Sequence, residues 1–160
     1  MKTMENTDPK LNAWVGIDPG ATGAHAILRE NGRYDIEDWE DEFVFANTLA
    51  EWKSDYNIMI AAVEAQHSMP KQGVASVFKF GVNYGLIRGV LAAHRIITEL
   101  LPPQTWQRAM LHNADGTDTK TRSLVSARRH FPDIQLKKSQ HGRSDAILMS
   151  LFAMRHYSSK

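Results

Sequence analysis

The sequence of 160 residues contains no cysteine. Disulfides, thiolate metal sites and thiol nucleophiles are therefore excluded, and any metal must be held by oxygen or imidazole ligands. The sequence also lacks an apolar run of the ~18 residues that span a membrane, and its N-terminus lacks the apolar stretch of a signal peptide. No internal repeat or low-complexity segment is found. We expect a soluble, cytoplasmic protein with no membrane contact.

The composition, 42% hydrophobic and 23% charged residues, fits one globular domain with a substantial core. We expect a flexible segment at residues 1–12 and a single domain over residues 13–157.

The net charge of +1 hides an uneven distribution of charge along the chain. Residues 1–64 contain 5 Lys or Arg and 13 Asp or Glu, a net charge of −8, whereas residues 65–160 contain 14 and 5, a net charge of +9. A basic half of this kind permits a surface that binds a polyanion, although a solvated basic surface without a partner is the commoner outcome.

The first part of the chain predicts strands. Apolar residues at 14–18 and 23–28 flank a Pro-Gly turn, and Asn31-Gly32 is typical of a hairpin that leads into a third strand over about 34–39. Helical spacing over 41–54 then predicts a crossover helix, and the apolar run 58–63 predicts a central strand that ends at Glu64.

The second part predicts four helices and one more strand. The helices are expected over about 74–95, 104–111, 119–130 and 144–156, and the strand over 96–101. Three glycines in the first of these helices, Gly81, Gly85 and Gly89, weaken it by about 1 kcal/mol each. Close packing against the sheet or a second subunit would explain them. Eight residues fit one face of this helix: Val77, Phe78, Gly81, Tyr84, Gly85, Arg88, Leu91 and Ala92.

Three acids and a histidine are the candidates for chemistry. Asp18 and Glu64 end strands that parallel pairing would bring to one edge of the sheet, where open α/β folds bind ligands. Asp145 lies in the first turn of the last helix, and His141 lies four residues before it, close to it if the helix starts by then. Because such a group of charges needs cations, and because its atoms are mainly oxygen, it favours Mg²⁺ or Mn²⁺.

Each candidate has an ordinary explanation when taken alone. Asp18 is a turn former, Asp145 would favour the positive end of a helix dipole, and His141 could lie on the surface without a function. The combination of the residues, rather than any one of them, favours a site.

Five short motifs, in this order, resemble those of the RuvC-like Holliday-junction resolvases, particularly the compact phage-type members, within the RNase H-like superfamily. They are 16–24 (GIDPGATGA), 63–64 (VE), 69–73 (MPKQG), 103–106 (PQTW) and 141–146 (HGRSDA). The resemblance covers about residues 14–152. It implies an α/β fold with a five-stranded mixed sheet, three antiparallel strands followed by two parallel ones, flanked by helices. It also implies a homodimer that cuts four-way DNA junctions with divalent metal, and we expect the glycine-rich helix to form the contact.

The resemblance also assigns roles to residues. It implies that Asp18, Glu64 and Asp145 are metal ligands, and that Lys120 is the basic residue near the scissile phosphate. The family has an acid or a histidine three residues before the last aspartate, where this sequence has Gly142, and His141 is the nearest substitute. The implied reaction is hydrolysis of a phosphodiester by two cations about 3.5–4 Å apart, leaving a 5′ phosphate and a 3′ hydroxyl.

The basic half is expected to supply the contacts to DNA. His67 stands where the family uses an aromatic residue against the junction bases, and Trp106 and Phe131 are expected in the core. The remaining candidates for phosphate contacts are Lys71, Arg122, Arg128, Arg129, Lys137, Lys138 and Arg143.

Other functions remain possible from the sequence. The segment 18–23 is similar to the phosphate-binding hairpin of the actin, sugar-kinase and Hsp70 ATPases, but those enzymes need two such lobes and 160 residues hold only one. A non-catalytic module that binds branched DNA would not need all three acids. A less selective nuclease for branched DNA or RNA–DNA hybrids would use the same acids.

Overall fold

The computed structural model describes residues 9–65 and 73–157. Over these residues the chain forms five strands, five α-helices and a short 3₁₀ helix, Lys138–Gln140. In chain order the strands and α-helices are β1 (Asn12–Asp18), β2 (Ala24–Arg29), β3 (Tyr34–Asp38), α1 (Glu42–Asp55), β4 (Asn57–Glu64), α2 (Val74–Ala93), β5 (Thr98–Leu101), α3 (Pro103–Met110), α4 (Thr119–His130) and α5 (His141–Tyr157). The predicted order of elements is confirmed. No helix in this part of the chain is long and apolar enough to cross a membrane.

The five strands form one mixed sheet in the order β3-β2-β1-β4-β5. β1 pairs with β2, and β2 with β3, in antiparallel fashion, whereas β4 pairs in parallel with both β1 and β5. This is the RNase H-like arrangement that the resemblance implied. Because β1 and β4 are parallel neighbours, their C-terminal residues, Asp18 and Glu64, lie at the same edge of the sheet.

The two faces of the sheet are covered by different helices. Alternate residues of a strand point to opposite faces. In β1, Ala13, Val15 and Ile17 belong to the core shared with α1 and α2, and Trp14 belongs to the core shared with α3, α4 and α5. By this alternation Asp18 falls on the face covered by α5. The same alternation in β4 places Glu64 on that face, because Ile60 and Ala62 lie in the α5 core.

Gly16 allows α5 to lie directly on the centre of the sheet. A Cβ atom at this position would come closer than 3.0 Å to the backbone oxygen of Ala146 and the backbone nitrogen of Ser150. Any side chain at Gly16 would therefore push the helix away from β1. Because α5 begins beside the end of β1, this close packing also sets the distance between Asp18 and the first turn of α5.

The predicted starts of α5 and β5 differ from the structure. α5 begins at His141 rather than at 144, because His141, Gly142 and Arg143 are not apolar and so gave no periodic signal. β5 begins at Thr98 rather than at 96, because the buried Ile96 closes the turn after α2 through a backbone bond to Leu91.

The face of α2 selected from the sequence is only partly the buried one. Ile87 and Leu91 are buried against the sheet, whereas Phe78 is 73% exposed. Gly81, Gly85 and Gly89 have open space where a Cβ would lie. Packing against the sheet of the same chain therefore does not explain these glycines, and that part of the prediction is wrong.

Candidate metal centre

A tight turn after β1 fixes the Asp18 carboxylate. The backbone N–H of Gly20 donates to Asp18 Oδ1 at 2.9 Å, and the N–H of Gly23 donates to the carbonyl of Gly20 at 2.9 Å. A Cβ at Gly23 would come closer than 3.0 Å to the carbonyl oxygens of Asp18 and Gly20. The glycines of the 16–24 motif thus hold Asp18 in place at the edge of the sheet.

Three of the predicted ligands come together at this edge. Asp18, His141 and Asp145 each offer one ligand atom, and these atoms all lie within 4.8 Å of one another. His141 and Asp145 are four residues apart on α5, so they share one face of its first turn. The structure therefore brings His141 to the carboxylates.

Gly142 explains why the histidine stands one position earlier than in the family pattern. A Cβ at Gly142 would come closer than 3.0 Å to the backbone oxygen of Thr22, and would lie 3.2 Å from Asp18 Oδ2. Position 142 is therefore filled by the turn after β1 and has no room for an acid or an imidazole. The side chain of His141 occupies the site instead.

Burial opposes the ionisation of both aspartates, and neighbouring carboxylates also oppose that of Asp145. The pKa of Asp145 is raised to about 8: burial is the largest cause, the negative charges of Asp18 and Glu64 also raise it, and a hydrogen bond from Ser123 and the charge of Lys120 lower it. Burial also raises the pKa of Asp18, against the N–H bond from Gly20 and the charge of His141. A cation between these carboxylates would stabilise their charged forms.

Glu64 is held by a tryptophan. Trp106, on α3, is fully buried, and its Nε1–H donates to Glu64 Oε1 at 3.0 Å. Glu64 is not one of the three residues whose ligand atoms lie within 4.8 Å of one another. The prediction that Trp106 belongs to the core is confirmed, but the sequence did not predict its bond to Glu64.

A serine pair supports Asp145. Ser123 Oγ donates to Asp145 Oδ1 and lies 2.8 Å from Ser144 Oγ, which in turn bonds the carbonyl of His141 at 2.7 Å. Ser123 and Ser144 are fully buried. Sequence reasoning missed both. The available signal was a polar residue on the apolar face of a helix, since Ser123 lies four residues before the buried Ala127.

Lys120 lies in the first turn of α4, three residues before Ser123, and is exposed. Its positive charge lowers the pKa of Asp145. The structure therefore places this lysine close enough for its charge to act on Asp145. Its action on a scissile phosphate stays a prediction.

Two of the predicted phosphate contacts bind the turn between α3 and α4. Arg122 donates from Nε to the carbonyl of Ala114 at 3.3 Å and from Nη2 to that of Leu111 at 2.8 Å. Arg129 donates to the carbonyls of His112 and Asn113. Both arginines therefore have a structural role that the sequence did not predict.

The other predicted contacts are distributed around the domain. Arg128 donates to the carbonyl of Leu136, and Arg143 pairs with Asp38 at 3.0 Å and donates to the carbonyl of Ile36. Lys137 and Lys138 are exposed. The role of each of these residues toward DNA stays a prediction. His67 and Lys71 lie outside the described residues.

The donor set fits a divalent cation. Two carboxylates and one imidazole converge at one edge of the sheet, and burial makes the charges of the two carboxylates costly unless a cation compensates them. Carboxylate oxygens suit Mg²⁺ and Mn²⁺, and the imidazole nitrogen adds a ligand that favours Mn²⁺. Asp18, His141 and Asp145 are thus the residues that could hold a metal.

The sheet order and the acids at its edge define an RNase H-like fold. Among solved structures, the chain is similar to Thermus thermophilus RuvC, with a TM-score of 0.60 and 14% sequence identity over 89% of this chain and 95% of that one. It is also similar to T. thermophilus RuvC in complex with Holliday junction substrate, with a TM-score of 0.60 and 11% identity over the same shares. The fold is therefore RuvC-like. No protein-family model and no curated protein matches the sequence.

Proposed function

We propose that this protein is a metal-dependent endonuclease that cuts four-way DNA junctions and acts in DNA recombination or branched-DNA processing. The observation that carries the proposal is the convergence of Asp18, His141 and Asp145 within 4.8 Å, on a fold shared with a RuvC whose complex contains a Holliday junction. A non-catalytic module would gain nothing from these costly buried charges.

The four candidate ligands and their hydrogen-bond donors have different roles. Asp18, Asp145, His141 and Glu64 would hold two divalent cations, whose chemistry would be the activation of water and the stabilisation of the departing 3′ oxygen. The Gly20 N–H donates to one oxygen of Asp18, and the Ser123 hydroxyl donates to one oxygen of Asp145. These hydrogen bonds fix the rotation of the two carboxylates. Trp106 does the same for Glu64.

Lys120 adds a positive charge beside the reacting phosphate. Its charge already acts on Asp145, and it is most valuable as negative charge accumulates in the transition state. Lys120→Ala should therefore slow single-turnover cleavage by bound protein much more than it weakens junction binding. A rate equal to that of the unaltered protein, with weaker binding only, would assign Lys120 to the general phosphate-contacting surface.

The functional unit is a homodimer formed through α2. Val74 and Phe78 are 87% and 73% exposed, and three glycines on this helix present bare backbone to a partner. A four-way junction needs two cuts, and a two-fold dimer supplies two identical sites. Sedimentation should give a dimer at micromolar concentration. A monomer, both free and bound to a junction, would contradict this part of the proposal.

A cleavage assay with five substrates tests the function. The substrates are a four-way junction, a Y-fork, a flap, a linear duplex and an RNA–DNA hybrid, each with Mg²⁺, with Mn²⁺ or with EDTA. We expect metal-dependent cutting of the junction in preference to the other four. Asp18→Asn should abolish cutting and leave junction binding largely intact, because the acids serve chemistry rather than docking. Normal cutting by this variant would refute the mechanism, and preferred cutting of the hybrid would change the substrate.

A further inference from the structure

We infer that a groove between α3 and α4 binds the sugar-phosphate backbone of the strand that enters the metal centre. The inference rests on the proposed function for the identity of the strand as DNA. The groove is a cavity of about 340 Å³, lined by Gln104, Gln107 and Arg108 from α3, His112 from the following turn, and Thr119 and Arg122 from α4.

Two helices connect the groove with the metal centre. α3 directs Trp106 toward Glu64, and the neighbouring Gln107 lines the groove. α4 directs Ser123 toward Asp145, and the neighbouring Arg122 lines the groove. The same two helices therefore border both places, and a strand whose phosphate reached the carboxylates could continue along the groove.

The lining groups suit a phosphodiester. They include two guanidinium groups, two amides, an imidazole and a hydroxyl, and none of the lining side chains is an acid. Arg, Gln and Thr are among the side chains that bind phosphate and sugar oxygens in protein–DNA complexes. Arg108 and His112 are exposed, so they are open to a ligand.

Two arginines bind the carbonyl oxygens of the turn after α3, at the end of the groove. Carbonyl oxygens at the end of α3 would present partial negative charge to a phosphate. Arg122 covers those of Leu111 and Ala114, and Arg129 covers those of His112 and Asn113. Asn113 also has a left-handed backbone, with φ at 57°. The two arginines thus stabilise this turn and offset its negative end.

Disulfide trapping tests the position of the strand. Because the protein has no cysteine, Arg108→Cys introduces a single thiol. The variant is combined with Asp18→Asn, so that junctions stay uncut, and is exposed to junctions that carry one thiol-tethered phosphate at successive positions. The control is Arg33→Cys, an exposed site in the β2–β3 hairpin at the opposite end of the sheet.

We expect trapping by Arg108→Cys at a few neighbouring phosphates next to the position that the unaltered protein cuts, at least about tenfold above Arg33→Cys, because binding raises the effective thiol concentration. Equal trapping by the two variants, or trapping at no particular phosphate, would overturn the inference. Trapping does not require cleavage. If the unaltered protein binds junctions without cutting any substrate, the proposed activity fails while the confined trapping still supports the groove.

A binding measurement provides a second readout. Arg108→Gln should weaken junction binding and reduce the slope of log affinity against log salt by about 0.9, the value for one lost phosphate contact. Arg33→Gln should change neither. An unchanged slope for Arg108→Gln would count against the groove, because a phosphate contact must release counterions.

Discussion

The charge balance of the metal centre predicts how the stability of the metal-free protein depends on pH. Burial and two neighbouring carboxylates raise the pKa of Asp145 to about 8 in the folded chain, from an ordinary value of 3.8. Between these values the folded state binds a proton that the unfolded state has released. The contribution of Asp145 to stability is therefore complete below about pH 4 and is lost as the pH rises toward 8.

The expected loss follows from the size of the shift. One pKa unit corresponds to about 1.4 kcal/mol, so the penalty accumulates to roughly 4 kcal/mol between pH 4 and pH 7. Asp145→Asn removes the titration but keeps an oxygen that can accept the bond from Ser123. This variant should therefore become increasingly more stable than the unaltered protein as the pH rises.

The assay is urea unfolding, followed by circular dichroism, at pH 5, 6, 7 and 8 in EDTA. The difference in unfolding free energy between the two proteins should change by about 1.4 kcal/mol per pH unit up to pH 7. The control is Asp115→Asn, which makes the same change at an exposed loop position. Adding Mg²⁺ or Mn²⁺ should stabilise the unaltered protein more than Asp145→Asn, because the cation binds the folded state with its carboxylates ionised. A difference that stays constant from pH 5 to 8 would refute this account of the site.

Three further predictions test the packing and the ligands. Gly16→Ala should destabilise the fold by about 3 kcal/mol in urea unfolding, because its methyl group meets backbone atoms of α5, and a cost below that of an ordinary surface substitution would contradict the close packing. Trp106→Phe should raise the metal concentration needed for half-maximal cleavage about tenfold, since Glu64 loses the bond from the indole N–H; an unchanged metal requirement would show that this bond does not position Glu64. His141→Ala should weaken activation by Mn²⁺ more than by Mg²⁺, and identical kinetics with both metals would remove the imidazole from the site.

The sheet and its acids could be predicted because their signals are local and periodic. Apolar runs, a Pro-Gly turn and Asn31-Gly32 locate the strands, and parallel pairing then places Asp18 and Glu64 at one edge. The helical spacing of four residues connects His141 with Asp145. These relations need only the geometry of single elements and the direction in which two strands run.

The remaining features depend on contacts between elements that are far apart in the sequence. The obstruction at Gly142 comes from the carbonyl of Thr22, 120 residues earlier, so no local pattern reveals it. Arg122 and Arg129 show a second limit. Their charges predict a surface for DNA, but their bonds to main-chain carbonyls depend on how the turn after α3 folds.

The burial of α5 has a consequence for how a cation meets its ligands. This helix carries His141 and Asp145 in its first turn, and ten of its residues are buried. Its main-chain amides should therefore exchange hydrogen with solvent mainly when the whole domain opens. The backbone that carries His141 and Asp145 then stays in place for as long as the protein stays folded. A cation that binds there meets a helix that is already ordered. Its binding therefore loses little free energy to ordering the backbone of His141 and Asp145.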